Sequence, residues 1–173
     1  MFAHYSLSDP MLALHNAARN GDQGRLRELL EDGFLWDDYG RESRDWYGRT
    51  ALHEAAYWGH TACLEALLDT GASVHSGDQY GNTPLYYASI RGHVTCVRLL
   101  VDAGSDANRR NWFFSRVGQG RTETPISGAT RKGHDRVLSI LRPAEADAPA
   151  ARPLQKRHRV LRRSPRHEPE SRA

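Results

Sequence analysis

The sequence predicts an all-α solenoid of paired antiparallel helices with extended finger loops between the pairs, followed by a disordered basic tail. Three observations lead to this prediction. Two segments of the chain repeat each other in order, one beginning at Asp45 and the other at Asp78. Thr and Gly residues stand where short helices would begin and end. The apolar residues of one copy can be buried only against the next copy, so stacking must supply the stability.

Length and composition limit the kinds of protein that the chain can be. Its 173 residues suit one domain or one short array of repeats with a tail. No apolar run approaches the roughly 18 residues of a transmembrane helix, and residues 1–10 lack the basic head and apolar core of a secretory signal. Two cysteines are too few for a disulfide scaffold. We therefore expect a soluble protein of the cytoplasm, the nucleus or both.

The two clearest copies match position by position. The run Asp45-Trp-Tyr-Gly-Arg-Thr-Ala-Leu-His-Glu-Ala-Ala aligns with Asp78-Gln-Tyr-Gly-Asn-Thr-Pro-Leu-Tyr-Tyr-Ala-Ser, and a Gly-His dipeptide follows at 59–60 and at 92–93. This pattern resembles the ankyrin repeat, which has the form Asp-x-x-Gly-x-Thr-Pro-Leu-His-x-Ala-Ala, then Gly-His, then a Gly-Ala-Asp-Val-Asn ending. The resemblance implies two short antiparallel helices in each copy.

Two weaker copies flank the clear ones, from Leu14 to Gly33 upstream and from Thr124 to Leu141 downstream. Each weaker copy is separated from its neighbour by more residues than separate the two clear copies, because its connection contains an insertion. The resemblance therefore covers about residues 8–142, or about four repeats. The divisions that it implies are a lead-in at 1–10, repeats 1 to 4 at 11–44, 45–77, 78–110 and 121–142 with a finger insertion at 108–121, and a disordered Pro/Arg-rich basic tail at 143–173.

Each position of the repeat has a physical reason. Thr50 can accept an N–H bond at the start of the first helix, and Pro84 at a first helical position gives up no useful donor. Gly59 allows the tight turn to the second helix, while Gly71 lies just past that helix, where a left-handed cap needs no Cβ. Thr83, Gly92 and Gly104 are expected to have the same roles in the next copy. The residues expected to pack between repeats 2 and 3 are Leu52, Ala55, Ala56, Cys63, Leu64 and Leu67 against Leu85, Ala88, Cys96, Val97 and Leu100.

Little in the sequence points to catalysis or to metal binding. His60-x-x-Cys63 and His93-x-x-Cys96 have the spacing of paired zinc ligands, but the repeat pattern accounts for both. We expect buried, reduced and metal-free cysteines. His15 and His53 are expected to form hydrogen bonds between neighbouring turns. No nucleophile motif, phosphate-binding loop or carboxylate pair is recognised, so we expect neither an enzyme nor a cofactor.

The resemblance also implies where a partner protein would bind. In ankyrin stacks, partners meet the finger tips and the inner helices, and a stretch of large rings followed by cations stands at those positions. Trp, Tyr and Arg often dominate interface energies, although each ring has packing on a neighbouring repeat as its alternative. We therefore expect a protein-interaction module that acts as an adaptor, scaffold or inhibitor on an apolar partner segment with flanking acids. The expected contact residues are Arg19, Asn20, Trp46, Tyr47, Arg49, Tyr57, Trp58, Gln79, Tyr80, Asn82, Ile90, Arg91, Arg131 and Lys132.

Two further clusters of large apolar residues lie in the connections, at 34–36 and at 112–114. An uncovered cluster would mark a contact site. For residues 112–114 we favour packing onto the stack, with Arg109, Arg110 and Arg116 exposed around them.

A second hypothesis places the activity in the tail. Residues 150–173 carry eight Lys and Arg against two acids, a charge of +6, whereas the whole chain carries +3. Such a cluster suits a nuclear import signal or, less favoured, a nucleic-acid contact, with the repeats as an attachment module. Deletion of the tail separates the hypotheses, because partner capture survives it under the first one. We expect a monomer with no membrane partner. The cluster comprises Lys156, Arg157, Arg159, Arg162 and Arg163.

Overall fold

The computed structural model of the chain describes residues 10–31, 43–112 and 122–146, and these residues form eight α-helices and no β-strand. They make four pairs, each joined by a turn of two residues, so the predicted all-α fold of paired helices is confirmed. The helices are α1 (Pro10–Asn20), α2 (Gln23–Glu31), α3 (Ala51–Trp58), α4 (Thr61–Asp69), α5 (Pro84–Arg91), α6 (Val94–Asp102), α7 (Pro125–Lys132) and α8 (Asp135–Ala146).

The pairs stack in sequence order. The first helices, α1, α3, α5 and α7, contact one another in that order, and the second helices, α2, α4, α6 and α8, do the same. Leu14, Leu52 and Leu85 hold equivalent positions on the first helices and are fully buried, each burial contributing about 1.5–3 kcal/mol. Every residue predicted to pack between repeats 2 and 3 is buried. One apolar core therefore runs through the whole stack.

The first helices begin as the repeat predicts, with one local difference. The hydroxyl of Thr83 accepts the backbone N–H of Tyr86, and Pro84 occupies the first turn. At Thr50, the backbone N–H instead donates to His53 Nδ1 at 3.0 Å, and the hydroxyl lies 2.9 Å from the same nitrogen. Because Nδ1 accepts, the ring proton of His53 lies on Nε2, which donates to the Asn82 carbonyl at 2.9 Å. The predicted bond of His53 to the neighbouring turn is thus confirmed, and His15 Nε2 bonds likewise at 2.9 Å to the carbonyl of residue 49.

The Gly-His turns tie each helix pair to the preceding one. His93 Nε2 donates to the Tyr57 carbonyl at 3.0 Å, and equivalent bonds join His60 and His134 to the pairs before them. Burial, aided by the positive charge of Arg91, lowers the pKa of His93, so its ring stays neutral. Gly59 ends α3 with φ of 79°, and the ring of His93 lies directly against it. The glycine is therefore required both by its backbone conformation and by the approach of the ring.

Three fingers connect the pairs: finger 1 (43–50), finger 2 (76–83) and finger 3, of which 109–112 and 122–124 are described. One backbone bond closes each of them. In finger 3 it runs from the Asn111 N–H to the Glu123 carbonyl at 2.9 Å, and the Glu123 N–H returns to Asn111 Oδ1 at 2.6 Å. The same bond joins residues 45 and 49 in finger 1 and residues 78 and 82 in finger 2. The insertion therefore begins and ends at a finger tip whose base keeps the geometry of the other two.

Two predicted boundaries differ from the structure. The last repeat was expected to end at Arg142, but α8 continues through Pro143 to Ala146. Pro143 lacks an N–H and removes one helical hydrogen bond, whereas the following Ala-Glu-Ala favours helix. The first helix begins at Pro10, inside the predicted lead-in. Outside the described residues lie the cluster at 34–36, the residues Phe113, Phe114 and Arg116, and the basic tail with its predicted import cluster.

Replacing Gly59 by Ala tests the contact between the turn and the His93 ring. A Cβ at Gly59 would lie 2.6 Å from His93 Nδ1, whereas a Cβ at Gly104, where φ is 88°, meets nothing within 4 Å. Gly104→Ala is therefore a matched control that carries only the backbone strain of about 1–2 kcal/mol. We expect Gly59→Ala to lower the free energy of unfolding by at least about 1 kcal/mol more than the control, measured by urea unfolding. Equal losses would show that the ring does not constrain Gly59.

Candidate partner-binding surface

Six large rings form one surface on the fingers and on the ends of the adjoining first helices. Tyr57 is half-buried, and the exposed fractions of the other five run from 36% at Tyr80 to 82% at Trp46. We call these residues the aromatic surface: Trp46, Tyr47, Tyr57, Trp58, Tyr80 and Trp112.

Ring contacts and a cleft connect the inner-helix rings with the finger rings. The centroid of the Tyr57 ring lies 5.1 Å from that of Trp58 and 5.6 Å from that of Tyr87, both edge to face. Tyr87 in turn lines a cleft of about 120 Å³ together with Tyr47 and Tyr80 of the two fingers. Edge-to-face pairs favour fixed ring orientations. Finger tips and inner helices thus present a single surface.

Trp112 adds finger 3 to this surface. Its backbone N–H donates to the Tyr80 carbonyl at 2.8 Å, its indole Nε1–H donates to the Gln79 carbonyl at 3.3 Å, and its ring lies against Gly81. The ring nevertheless stays 57% exposed. The predicted packing onto the stack therefore holds for one face of Trp112, and the other face is available to a partner. Arg109 and Arg110 are exposed, as expected.

A cluster of charges lies around the buried carboxylate of Glu54, next to finger 1. Arg49 Nη2 lies 2.7 Å from Asp45 Oδ2 and 2.9 Å from Glu54 Oε1, and Arg19 Nε donates to Glu54 Oε2 at 3.2 Å. Burial acts to raise the pKa of Asp45, but hydrogen bonds from the amides of Arg49 and Tyr47 and from the Arg49 side chain outweigh it and leave that pKa below its usual value. Two arginines and two carboxylates cancel. Arg19 and Arg49, predicted as partner contacts, are therefore already engaged within the stack.

At the base of finger 2, a tyrosine takes the place of the arginine that bonds the aspartate in finger 1. Asp78 Oδ1 accepts the amides of Tyr80 at 2.8 Å and Asn82 at 2.9 Å, and its Oδ2 accepts the Tyr87 hydroxyl at 2.6 Å. Burial, followed by this bond to Asp78, raises the pKa of Tyr87 far above its usual value. The floor of the cleft is thus a protonated phenol held in place by a carboxylate.

Asn82 is a predicted contact residue that the structure places inside the protein. It is 6% exposed, its amide donates to Asp78 Oδ2 at 3.0 Å, and its Oδ1 accepts from Asn111 Nδ2 at 2.6 Å. Finger 3 covers this position, which the repeat pattern alone does not reveal. Asn82 therefore presents little surface to a partner.

The predicted cations lie along the ends of α5 and α7. Arg91 is exposed and its Cζ lies 4.6 Å from the centroid of the Tyr57 ring, a cation–π contact. Arg131 Nε and Nη2 each bond at 3.0 Å to the carboxylate of Glu123, and Lys132 is exposed. Arg131 is thus already paired with a carboxylate, and Arg91 and Lys132 are exposed.

The other predicted contact residues differ in exposure. Asn20 and Gln79 are exposed, whereas Ile90 is half-buried and lies over Gly128 of the next pair.

The hydroxyl of Tyr86, on the same helix as Ile90, donates to Glu123 Oε2 at 2.7 Å, and burial with this bond raises the pKa of Tyr86 to about 12.

Both cysteines are buried and free, as predicted. Cys63 and Cys96 are each 1% exposed, and burial raises the pKa of both thiols. Across the described ranges no group of three or more His, Cys, Asp or Glu side chains is arranged to hold a metal ion. Nor does any described helix combine the length and the apolar character needed to cross a membrane.

The sequence analysis did not identify Glu54 and Tyr87 as supports of the surface, and it favoured packing over exposure for Trp112. The repeat contained a signal for one of them. Trp112 follows Gln79, which was on the expected contact list, by the same interval that separates Asp78 from Asp45. Tyr87 follows Glu54 by that interval too, so both occupy the same position of the inner helix.

Comparison with known proteins agrees with a solenoid of helix pairs. A family model described as ankyrin repeats in many copies matches residues 14–68 and 52–101, together just over half of the chain. The chain belongs to the ankyrin-repeat family, whose members are generally non-catalytic protein-interaction modules.

A curated relative matches part of the chain. A stretch of 64 residues is 45% identical to the Transient receptor potential cation channel subfamily A member 1 homolog of Caenorhabditis elegans. The match takes 37% of this chain but 5% of that protein. It concerns one short stretch of a far longer polypeptide.

The buried role of Asn82 is tested by comparing Asn82→Ala with Gln79→Ala. The first variant removes one of the bonds to Asp78 Oδ2 and the acceptor of Asn111 Nδ2, and we expect it to lower the free energy of unfolding by about 1–3 kcal/mol. The exposed Gln79 side chain provides the control, with a change within about 0.5 kcal/mol. Thermal or urea unfolding of both variants measures the difference. Similar values for the two would mean that Asn82 is not a structural residue.

Proposed function

We propose that this protein is a non-catalytic adaptor, scaffold or inhibitor that holds one partner protein against its aromatic surface. The observation that carries the proposal is the exposure of several large rings on one face of a stack whose interior is otherwise well packed. Large exposed apolar patches on soluble proteins usually mark contact sites, and Trp and Tyr are the residues that most often dominate binding energy.

The cleft between fingers 1 and 2 supports an apolar anchor on the partner. The cleft, of about 120 Å³, is lined by Tyr47, Tyr80 and Tyr87 together with Arg49 and Asp78. Asp78 and Tyr87 at its floor already bond each other at 2.6 Å. An apolar side chain in the cleft would therefore leave this pair of polar groups satisfied.

The cations support acidic residues beside that anchor. Arg91 and Lys132 are exposed at the C-terminal ends of α5 and α7, on the side of the aromatic surface that lies away from finger 1. Complementary charge of this kind speeds encounter and fixes the register of a bound segment. The partner segment is thus apolar at the fingers and acidic towards the later repeats.

Selection from a displayed library of random peptides tests the proposal directly. The full-length chain should enrich peptides that carry an apolar anchor next to Asp or Glu, and removal of residues 150–173 should leave the selected peptides bound. Loss of binding on that deletion would favour the alternative in which the basic tail supplies the activity. Enrichment that is equal for a variant lacking the rings would refute the aromatic surface as the site.

Truncating two exposed rings should remove most of the affinity for a selected peptide. Because Trp46 and Tyr80 lie at finger tips, the variant Trp46→Ala with Tyr80→Ala should fold normally and lose at least about 2 kcal/mol of binding free energy. Titration calorimetry measures the loss, and circular dichroism verifies the fold. The control is Thr95→Ala with Arg98→Ala, two exposed positions on the second helix α6. Equal affinities for the two variants would place the site elsewhere.

Reversing the cations should change the kinetics of binding more than its final strength. Arg91→Glu with Lys132→Glu should slow association with an acidic selected peptide by at least about tenfold at low salt, and the deficit should shrink as salt rises. The matched control, Arg98→Glu with Arg136→Glu, makes the same charge change on the exposed second helices. Stopped-flow fluorescence gives the rates, and an equal slowing in both variants would show that only net charge matters.

A further inference from the structure

Glu54 occupies a position where the repeat does not require a carboxylate. Its side chain lies on α3 and is 1% exposed. The aligned positions in the other three repeats hold Asn16, Tyr87 and Gly128. Because a buried carboxylate is costly unless it is paired, its presence in repeat 2 alone calls for a local reason.

Three side chains from three different elements meet this carboxylate. Arg19 Nε, near the end of α1, and Trp58 Nε1, at the end of α3, each donate to Glu54 Oε2 at 3.2 Å. Arg49 Nη2, in finger 1, lies 2.9 Å from Glu54 Oε1 as an ion pair, without the alignment of a hydrogen bond. Glu54 is thus the point at which repeat 1, the inner helix of repeat 2 and the finger before that helix are held together.

Two of these side chains, Trp58 and Arg49, connect Glu54 with rings of the aromatic surface. The Trp58 ring belongs to that surface and meets Tyr57 at a centroid distance of 5.1 Å. Arg49 Cζ lies 5.0 Å from the centroid of the Tyr47 ring, which it supports from below. One buried carboxylate therefore links a ring at the finger tip with a ring on the inner helix.

We propose that Glu54 is a positioning residue that assembles the aromatic surface before a partner arrives. It fixes the indole of Trp58 directly and the ring of Tyr47 through Arg49. Rings that are already ordered do not have to be immobilised on binding, which removes part of the entropic cost of association. This inference rests on the proposed function of the aromatic surface.

The same contacts orient the partner. Glu54 and Asp45 together cancel the charges of Arg19 and Arg49, so an acidic group gains little at the finger 1 end of the surface. Arg91, by contrast, is exposed at the end of α5, and among the described residues its close contact is with the ring of Tyr57. Glu54 thereby directs the acidic part of the partner towards repeats 3 and 4.

Glu54→Gln in the full-length chain tests the positioning role. Glutamine keeps the size of the side chain but removes the charge that Arg19 and Arg49 face, and it puts an NH₂ group, itself a donor, in place of one carboxylate oxygen. The readout is the ¹H–¹⁵N indole resonance of Trp58, assigned with Trp58→Phe. We expect a displaced resonance and at least about tenfold faster indole hydrogen exchange. Glu65→Gln, the same change on an exposed position of α4, should leave both unaltered; an unchanged Trp58 signal in Glu54→Gln overturns the proposal.

A double-mutant cycle with a selected peptide provides the second readout. Glu54→Gln alone should weaken binding by at least about tenfold, and Trp58→Phe should then cost less than it does in the parent chain, because the two act as a unit. Fully additive losses would overturn the positioning role. If no peptide is selected while the indole signal still moves as expected, the proposed function fails and the contact of Glu54 with Trp58 stands.

If Glu54→Gln does not fold, indole hydrogen exchange in the unmodified protein tests the positioning role instead. The Trp58 indole N–H should then exchange at a rate close to that of the α3 backbone amides, since it is held by a buried carboxylate. Exchange as fast as that of a free indole would overturn the proposal.

Discussion

No helix pair of this protein can cover its apolar face alone, and the rest of the structure depends on that constraint. Helices of eight or nine residues such as α3 and α4 are too short to be stable in isolation. The stack is held in register largely by bonds to backbone carbonyls, as where the Gln79 N–H meets the Tyr47 carbonyl at 2.9 Å. Since those bonds do not depend on what the exposed side chains are, the finger tips are free to carry large rings.

The fold could be predicted from the sequence because its determinants are local and recur. Gly59 and His93 lie at fixed places in the repeat, and each performs the same task in every clear copy. The exposure of individual contact residues could not be predicted in this way. Asn82 and Gln79 are both finger residues by sequence, yet finger 3 covers one and leaves the other exposed. A motif fixes the place of a residue in its own repeat, whereas burial depends on the repeat that follows.

Equivalent positions in successive repeats satisfy their polar groups by different chemistry. Finger 1 closes around an arginine and two carboxylates, while finger 2 closes around a carboxylate and a phenol. Both arrangements leave a firm base under the finger tip. The ion cluster depends on charge, whereas the bond between Asp78 and Tyr87 depends on a proton that burial keeps in place. The rings above them therefore rest on supports with different sensitivities to salt and pH.

The closed base of finger 3 has a consequence for protein engineering. Asn111 and Glu123 bond to each other as the ends of the shorter fingers do, so the stack is indifferent to how many residues intervene. The described ends of finger 3, at Trp112 and Thr122, thus offer a splice point beside the aromatic surface. An epitope, a protease site or a fluorophore-bearing loop grafted there would report on events at that surface while the helices beneath it keep their packing.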